Sequence, residues 1–210
     1  MQDTVLRFSV LEELSWDPRV DASAITVVAE AGTVTLRGTV SSLRQRHDAV
    51  RAARRVGGAR QVTDTLTVWL PPAHRRDDAD LHSDVLHALL LNASIPATVN
   101  AFARNGVVTL MGLVTWHHER LETEAAAANV LGVREVVDLI RLRPTRQADP
   151  VEIARAAERI GLPRDVSLNV TDGAVTVTGS VSGLGDHGRA LALAWSAPGT
   201  VAVHDLLVVG

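Results

Sequence analysis

The sequence predicts an α+β protein made of three tandem αββαβ units, each a small three-stranded mixed sheet with two helices on one face. Two observations carry this: a glycine-framed strand pattern that occurs three times, and a change from strand to helical periodicity after each occurrence. Gly32-Thr-Val-Thr-Leu-Arg-Gly38-Thr-Val40 returns as Gly106-Val-Val-Thr-Leu-Met-Gly112-Leu-Val114 and as Gly173-Ala-Val-Thr-Val-Thr-Gly179-Ser-Val181, at offsets of 74 and 67 residues. Twenty residues after Gly38, Gly112 and Gly179 stand Gly58, Gly132 and Gly199, each followed by a Val-rich segment.

Within a unit the elements follow in order. A helix comes first. In the second unit Leu81, Val85, Leu86, Leu89 and Leu90 form its apolar stripe. In the third, Asp149 suits the N-cap, Pro150 the first helical position and Glu152 a capping-box partner, while Gly161 and Pro163 mark the stop. A hairpin follows, with Ile25, Val27 and Ala29 alternating on one strand and Val34 and Leu36 on the next. The third unit repeats it with Val166, Leu168, Val170, then Val175 and Val177, around the turn dipeptide Asp172-Gly173. The period then becomes helical, with Leu43, Val50, Ala53 and Val56 on one face and Arg44, Arg51 and Arg55 opposite. The last strands are expected in Val62 to Leu70, Val133 to Leu142 and Val201 to Val209. Linkers at Pro71-Pro72-Ala73-His74 and Arg143-Pro144-Thr145-Arg146-Gln147 set the expected domains at 1–72, 76–143 and 148–210.

The 210 residues are 46% hydrophobic and 21% charged, which supplies packed cores and excludes extensive disorder. Aromatic residues make up only 3%, so the cores must be aliphatic and light, and the units are expected to lean on their neighbours. A formal net charge of −3 offers no general attraction to phosphate backbones, and nucleic acid is not an expected partner. The charge is uneven: +1 over residues 1–74, −1 over 75–146 and −3 over 147–210. The absence of Cys excludes disulfides, thiolate metal sites and a cysteine nucleophile. Met1-Gln2-Asp3-Thr4-Val5 lacks a basic, then apolar, leader, so a cytoplasmic protein, at most peripheral to the membrane, is expected.

The αββαβ order, the Gly-x-Val-x-Leu-x-Gly-x-Val hairpin and the later Gly-Val-x-x-Val segment resemble the BON domain of bacterial osmotic-shock and envelope proteins. The resemblance covers nearly the whole chain. It implies a non-enzymatic, stress-related module that binds phospholipid or protects proteins and membranes. Other members sit beside nucleotide-sensing or peptidoglycan-binding domains, and one senses potassium. With no accessory domain expected beside the repeats, any ligand is expected to be met by the repeats themselves.

The candidate anion or lipid site is the Arg44, Arg51, Arg55 stripe, whose spacing of i, i+7 and i+11 places three guanidinium groups on one helix face with Asp48 as the nearby acid. An anionic membrane surface or an acidic protein is the expected partner. A small-ligand or ion sensor with a site between repeats, and a self-associating or chaperone-like homo-oligomer, are the alternatives.

Gly32, Gly38, Gly106, Gly112, Gly173 and Gly179 are read as backbone devices at turns and strand ends. Gly183-x-Gly185-x-x-Gly188 matches a dinucleotide fingerprint, but too little chain follows it for a doubly wound sheet. His117, His118, Glu119 and Glu122 could suggest a metal, yet adjacent helical histidines diverge by about 100° and do not converge on one ion. Trp116 suits packing better than a membrane anchor. No nucleophile, base and orienting group fall together, so no catalytic residue, metal or cofactor is expected.

Overall fold

The computed structural model describes residues 2–210. The first repeat runs α1 (Gln2–Trp16), β1 (Ile25–Glu30), β2 (Thr33–Val40), α2 (Leu43–Arg55) and β3 (Gln61–Val68). The second runs α3 (Asp78–Leu90), β4 (Val99–Arg104), β5 (Val107–Val114), α4 (His117–Ala128) and β6 (Glu135–Leu142). The third runs α5 (Pro150–Arg159), β7 (Ser167–Thr171), β8 (Ala174–Val181), α6 (Leu184–Ser196) and β9 (Ala202–Val209). The chain divides into two compact units: one through Leu113 with Glu119–Arg141, the other Val114–His118 with Leu142–Gly210.

All three sheets are mixed and follow chain order, β1-β2-β3, β4-β5-β6 and β7-β8-β9. In the first, β1 is antiparallel to β2, with Val27 opposite Leu36, and β2 is parallel to β3, with Val34 opposite Val62. The parallel pair requires a crossover, which α2 supplies. The third sheet repeats this register, Leu168 opposite Val177 and Val175 opposite Val203.

The hairpins are tight because two successive residues take positive φ, as a type I′ turn demands. Ala31 and Gly32 have φ of 49° and 82°, Asn105 and Gly106 52° and 77°, and Asp172 and Gly173 50° and 80°. The turn glycine carbonyl is then reused. Gly32, Gly106 and Gly173 each accept a hydrogen bond at 2.8 Å from the chain entering the third strand, at the N–H of Arg60, Arg134 and Val201.

Gly38, Gly112 and Gly179 lie inside β2, β5 and β8 rather than at strand ends as the sequence suggested. Their φ values are 122°, 147° and 123°, and a Cβ there would collide with the carbonyl oxygens of Ala24, Thr98 and Asp165. The segment leading into each hairpin presses on the middle strand at that point.

Each core lies between the inner sheet face and the helices. In the first repeat Leu6, Val10 and Leu14 of α1 meet Ile25, Val27, Val34 and Leu36 of the sheet and Ala49, Ala52 and Ala53 of α2. The buried face of α2 is made by Leu43 and Ala53, as expected, with Ala49, Ala52, Gln45 and Asp48, while Val50 and Val56, also expected in the core, are only half-buried. Small residues let the helix lie close to the sheet. In α3 Leu81, Val85 and Leu89 are buried, but Leu86 is half-buried and Leu90 exposed, so the stripe is narrower than expected. The third core is the lightest, built on Ile153, Val175, Val177, Ala190, Ala194 and Ala197.

Candidate functional site

Asp149 caps α5 by accepting from Val151 N–H at 2.8 Å, but Glu152 does not close a capping box; it pairs with Arg146 at 2.7 Å. A box-like arrangement forms instead at α2, where the return bond goes to the residue before the N-cap. There Ser42 Oγ accepts from Gln45 N–H at 3.1 Å, while Gln45 Oε1 accepts from Ser41 N–H at 2.8 Å.

Arg44, Arg51 and Arg55 do lie on the outer side of α2, exposed by 59%, 63% and 44%, but acids engage them. Asp48, buried at the centre of the stripe, stands 3.2 Å from Arg51, 3.7 Å from Arg44 and 3.9 Å from Arg19. Arg55 reaches Glu13 of α1 at 2.7 Å and Asp17, just past its end, at 3.0 Å. Arg19 clasps Asp17 through Nε at 2.9 Å and Nη2 at 2.8 Å. The Arg19 bonds hold the Asp17 carboxyl far below the usual carboxylate range despite its burial, and Arg55 adds to this. Four arginines therefore meet three carboxylates, Asp17, Asp48 and Glu13, so the cluster ties the α1 end to α2 and keeps a net charge of only +1.

A feature the sequence reading passed over recurs in every repeat. Asp64, Asp138 and Asp205, each the fourth residue of its strand, accept at Oδ1 from the N–H two residues on, of Leu66, Ile140 and Leu207, at 2.9, 2.8 and 3.1 Å. The other oxygen meets the fourth residue of the crossover helix: Arg46 at 2.7 Å, Arg120, and His187 at 2.8 Å. Comparing the copies position by position would have exposed it, since these acids share one place after the second glycine anchor.

The outer sheet faces differ sharply. In the second repeat Phe102, Met111, Leu113 and Leu139 are exposed by 54%, 37%, 44% and 53%, next in sequence to the buried Ala101, Leu110, Val114 and Ile140. The matching positions hold Val28, Arg37, Thr39 and Thr65 in the first repeat and Asn169, Thr178, Ser180 and Leu206 in the third. Arg104 and Arg141 add cations to the apolar strands.

Other candidates carry less. Gly183 begins α6 with no side-chain cap, and Gly185 and Gly188 border open space rather than a cradle. His117 stacks on Trp195 with centroids 3.9 Å apart, and Trp116 lies by His118 at 6.3 Å. Among the described residues no group of three His, Cys, Asp or Glu side chains is placed to hold a metal, and no helix is long and apolar enough to cross a membrane.

Three mixed sheets, each closed by a crossover helix and differing mainly in its outer surface, define a tandem array of small αββαβ modules. The family model of the BON domain matches residues 2–68, 77–144 and 153–210. The chain belongs to the BON domain family, whose members are generally non-catalytic and are known for binding phospholipid or other partners. No curated protein matches the sequence. Among solved structures, CdsD, a structural protein of the type III secretion system of Chlamydia trachomatis, is 13% identical over 98% of this chain and 92% of that one, with a TM-score of 0.25. The PrgH periplasmic domain is 12% identical over 95% and 99%, with a TM-score of 0.24. Likenesses at this level carry no argument about function.

Proposed function

We propose that this is a non-catalytic binding protein that engages anionic phospholipid surfaces through the open sheet face of its second repeat. One observation carries the reading: four large apolar side chains, Phe102, Met111, Leu113 and Leu139, are exposed where the first repeat has Val28, Arg37, Thr39 and Thr65. Burying one such side chain contributes about 1.5–3 kcal/mol, so partial insertion of four yields useful affinity. Arg104 and Arg141 add roughly 1 kcal/mol each beside an anionic leaflet. Arg44, Arg51 and Arg55 stay in the proposal as a weaker contact, because each shares its charge with a carboxylate. The setting is a peripheral role at the cytoplasmic leaflet during membrane stress.

Cosedimentation with anionic and neutral vesicles at low and high salt tests this. The expected result is salt-sensitive binding to anionic vesicles, reduced at least about tenfold by a Leu113→Ser, Leu139→Ser double variant and less by the Arg44, Arg51, Arg55 triple Ala variant. Binding that ignores the apolar substitutions, or none at either salt, would sink the proposal. Concentration-dependent oligomers abolished by the same double variant would assign the face to self-association instead.

A further inference from the structure

We infer that the second repeat binds an organic phosphate in the cleft between the Val68–Arg76 segment and the Asn105-Gly106 turn. This goes beyond the membrane reading and does not depend on it. The cleft encloses about 330 Å³ and is lined by Trp69, Arg75, Arg76 and Arg134, with Gly106 and Gly132 in its wall and no carboxylate among its lining residues. That volume exceeds a bare phosphate and admits an attached organic group, for which the half-exposed indole of Trp69 offers a flat apolar surface.

Among the described residues the three guanidinium groups together have one carboxylate contact, against four for Arg44, Arg51 and Arg55 of α2. Arg134 forms no ion pair among the described residues, Arg75 donates only to the Leu70 carbonyl at 3.3 Å, and Arg76 has Asp84 no nearer than 3.9 Å. The glycines position two of them. A Cβ on Gly106 would stand 2.8 Å from Arg134 Cδ, and one on Gly132 would stand 2.9 Å from Arg76 Cγ. Without those Cβ atoms both arginine stems lie flat on the backbone, which places their forks at the cleft. Forked guanidinium groups match phosphate oxygens bidentately, as an ammonium does not.

The other repeats supply an internal comparison. The equivalent cleft of the third is lined by Arg146, Asp172, Gly173, Gly199 and Val201, so an acid and a valine stand where the second repeat has Asn105 and Arg134. Its Arg146 is already forked onto Glu152 at 2.7 and 3.3 Å. In the first repeat Arg60 lies along Gly32 as Arg134 does along Gly106, but at Gly58 the nearest atom belongs to Leu6 and not to an arginine. Among the described residues, the second repeat alone combines the arginine after the turn with a basic segment leading in.

Isothermal titration of the whole protein with pyrophosphate, adenosine monophosphate and water-soluble dihexanoyl phosphatidic acid tests the inference and separates free phosphates from lipid head groups. Saturable binding of at least one probe is expected, weakened about tenfold or more by Arg134→Val and by Arg76→Ala. Arg60→Val, the same change in the first repeat, should leave it intact, and Arg134→Lys, which preserves charge and fold, should still weaken it. No binding by the parent protein, or equal loss from Arg60→Val and Arg134→Val, would overturn the site. Vesicle binding by the Arg134→Val protein, read alongside, shows whether the membrane reading stands or falls separately.

Discussion

Arg46 Nε donates to Asp64 Oδ2 at 2.7 Å, joining the crossover helix of the first repeat to the strand it delivers. Arg120 with Asp138 and His187 with Asp205 repeat the bond at the same positions of the other two repeats. The bond fixes how α2 sits over β3, because the same aspartate is held within its strand by Leu66 N–H at 2.9 Å. Asp64→Ala should lower unfolding free energy by about 1–3 kcal/mol, the cost of losing a charge-assisted bond and a backbone acceptor together. Chemical denaturation monitored by Trp fluorescence checks it, and a double-mutant cycle with Arg46→Ala should return a coupling near 1 kcal/mol.

In the third repeat the cation is an imidazole, which carries charge only when protonated, whereas guanidinium is always charged. His187→Arg should therefore stabilise that repeat by a few tenths to about 1 kcal/mol, for a pair this exposed. Hydrogen exchange at β9 amides reads it directly. Unchanged or faster exchange would show that the guanidinium does not fit.

Gly38→Ala should be severely destabilising, by about 3 kcal/mol or more, since φ is 122° and the new Cβ runs into the Ala24 carbonyl oxygen. Gly57 provides the control, with nothing within 4 Å of an added Cβ, and Gly57→Ala should stay within about 0.5 kcal/mol of the parent.

Asp17 predicts a strongly acidic limb. Its carboxyl lies below the ordinary 3.8, chiefly through its bonds to Arg19, so its contribution is complete above that value and is lost as pH falls toward the folded-state pKa. Asp17→Asn should cost about 1–3 kcal/mol at neutral pH and flatten the stability profile below pH 4. Thermal melts between pH 2 and 7 separate this from a pH-independent packing loss.

His47 predicts a second, milder limb. Burial pushes its imidazole below the ordinary 6.5, with Arg46 and Arg51 acting in the same direction and Glu124 and Asp64 opposing. Because the unfolded chain then takes up the proton more readily, stability is full above pH 6.5 and declines as pH falls through it. His47→Gln should abolish that slope in melts taken between pH 5 and 7. A slope that persists would place the titration elsewhere.

Much of the fold was legible because its signals are backbone constraints. Glycines at Gly32, Gly106 and Gly173 mark turns that need positive φ, and alternation such as Val34, Leu36 marks a half-buried strand. The error at Gly38 has a plain cause: sequence shows that a side chain is excluded, but not that a carbonyl from outside the strand excludes it. On α2, Leu43 and Ala53 are buried as expected, but Val50 and Val56 yield to Ala49 and Ala52, because alanines fill a helix face as well as valines do. Buried Asp48 likewise looks like surface charge until Arg19, distant in sequence, closes over it. At Asp149 and Glu152 a local capping pattern lost to Arg146, while Ser42-x-x-Gln45 carried the true signature unnoticed. The candidate site was the least legible part, since strand alternation tells which residues face outward and not whether anything covers them.

The parallel pairing of β2 with β3 has a consequence for synthesis. Val34 waits for Val62, and Leu36 for Asp64, so the hairpin leaves the ribosome with its middle strand unpaired on one edge until α2 and the last strand follow. At roughly 5–20 residues per second that interval lasts a few seconds, and it recurs once per repeat. Nascent chains of this protein should thus engage ribosome-associated chaperones in three pulses, each ending as a third strand emerges.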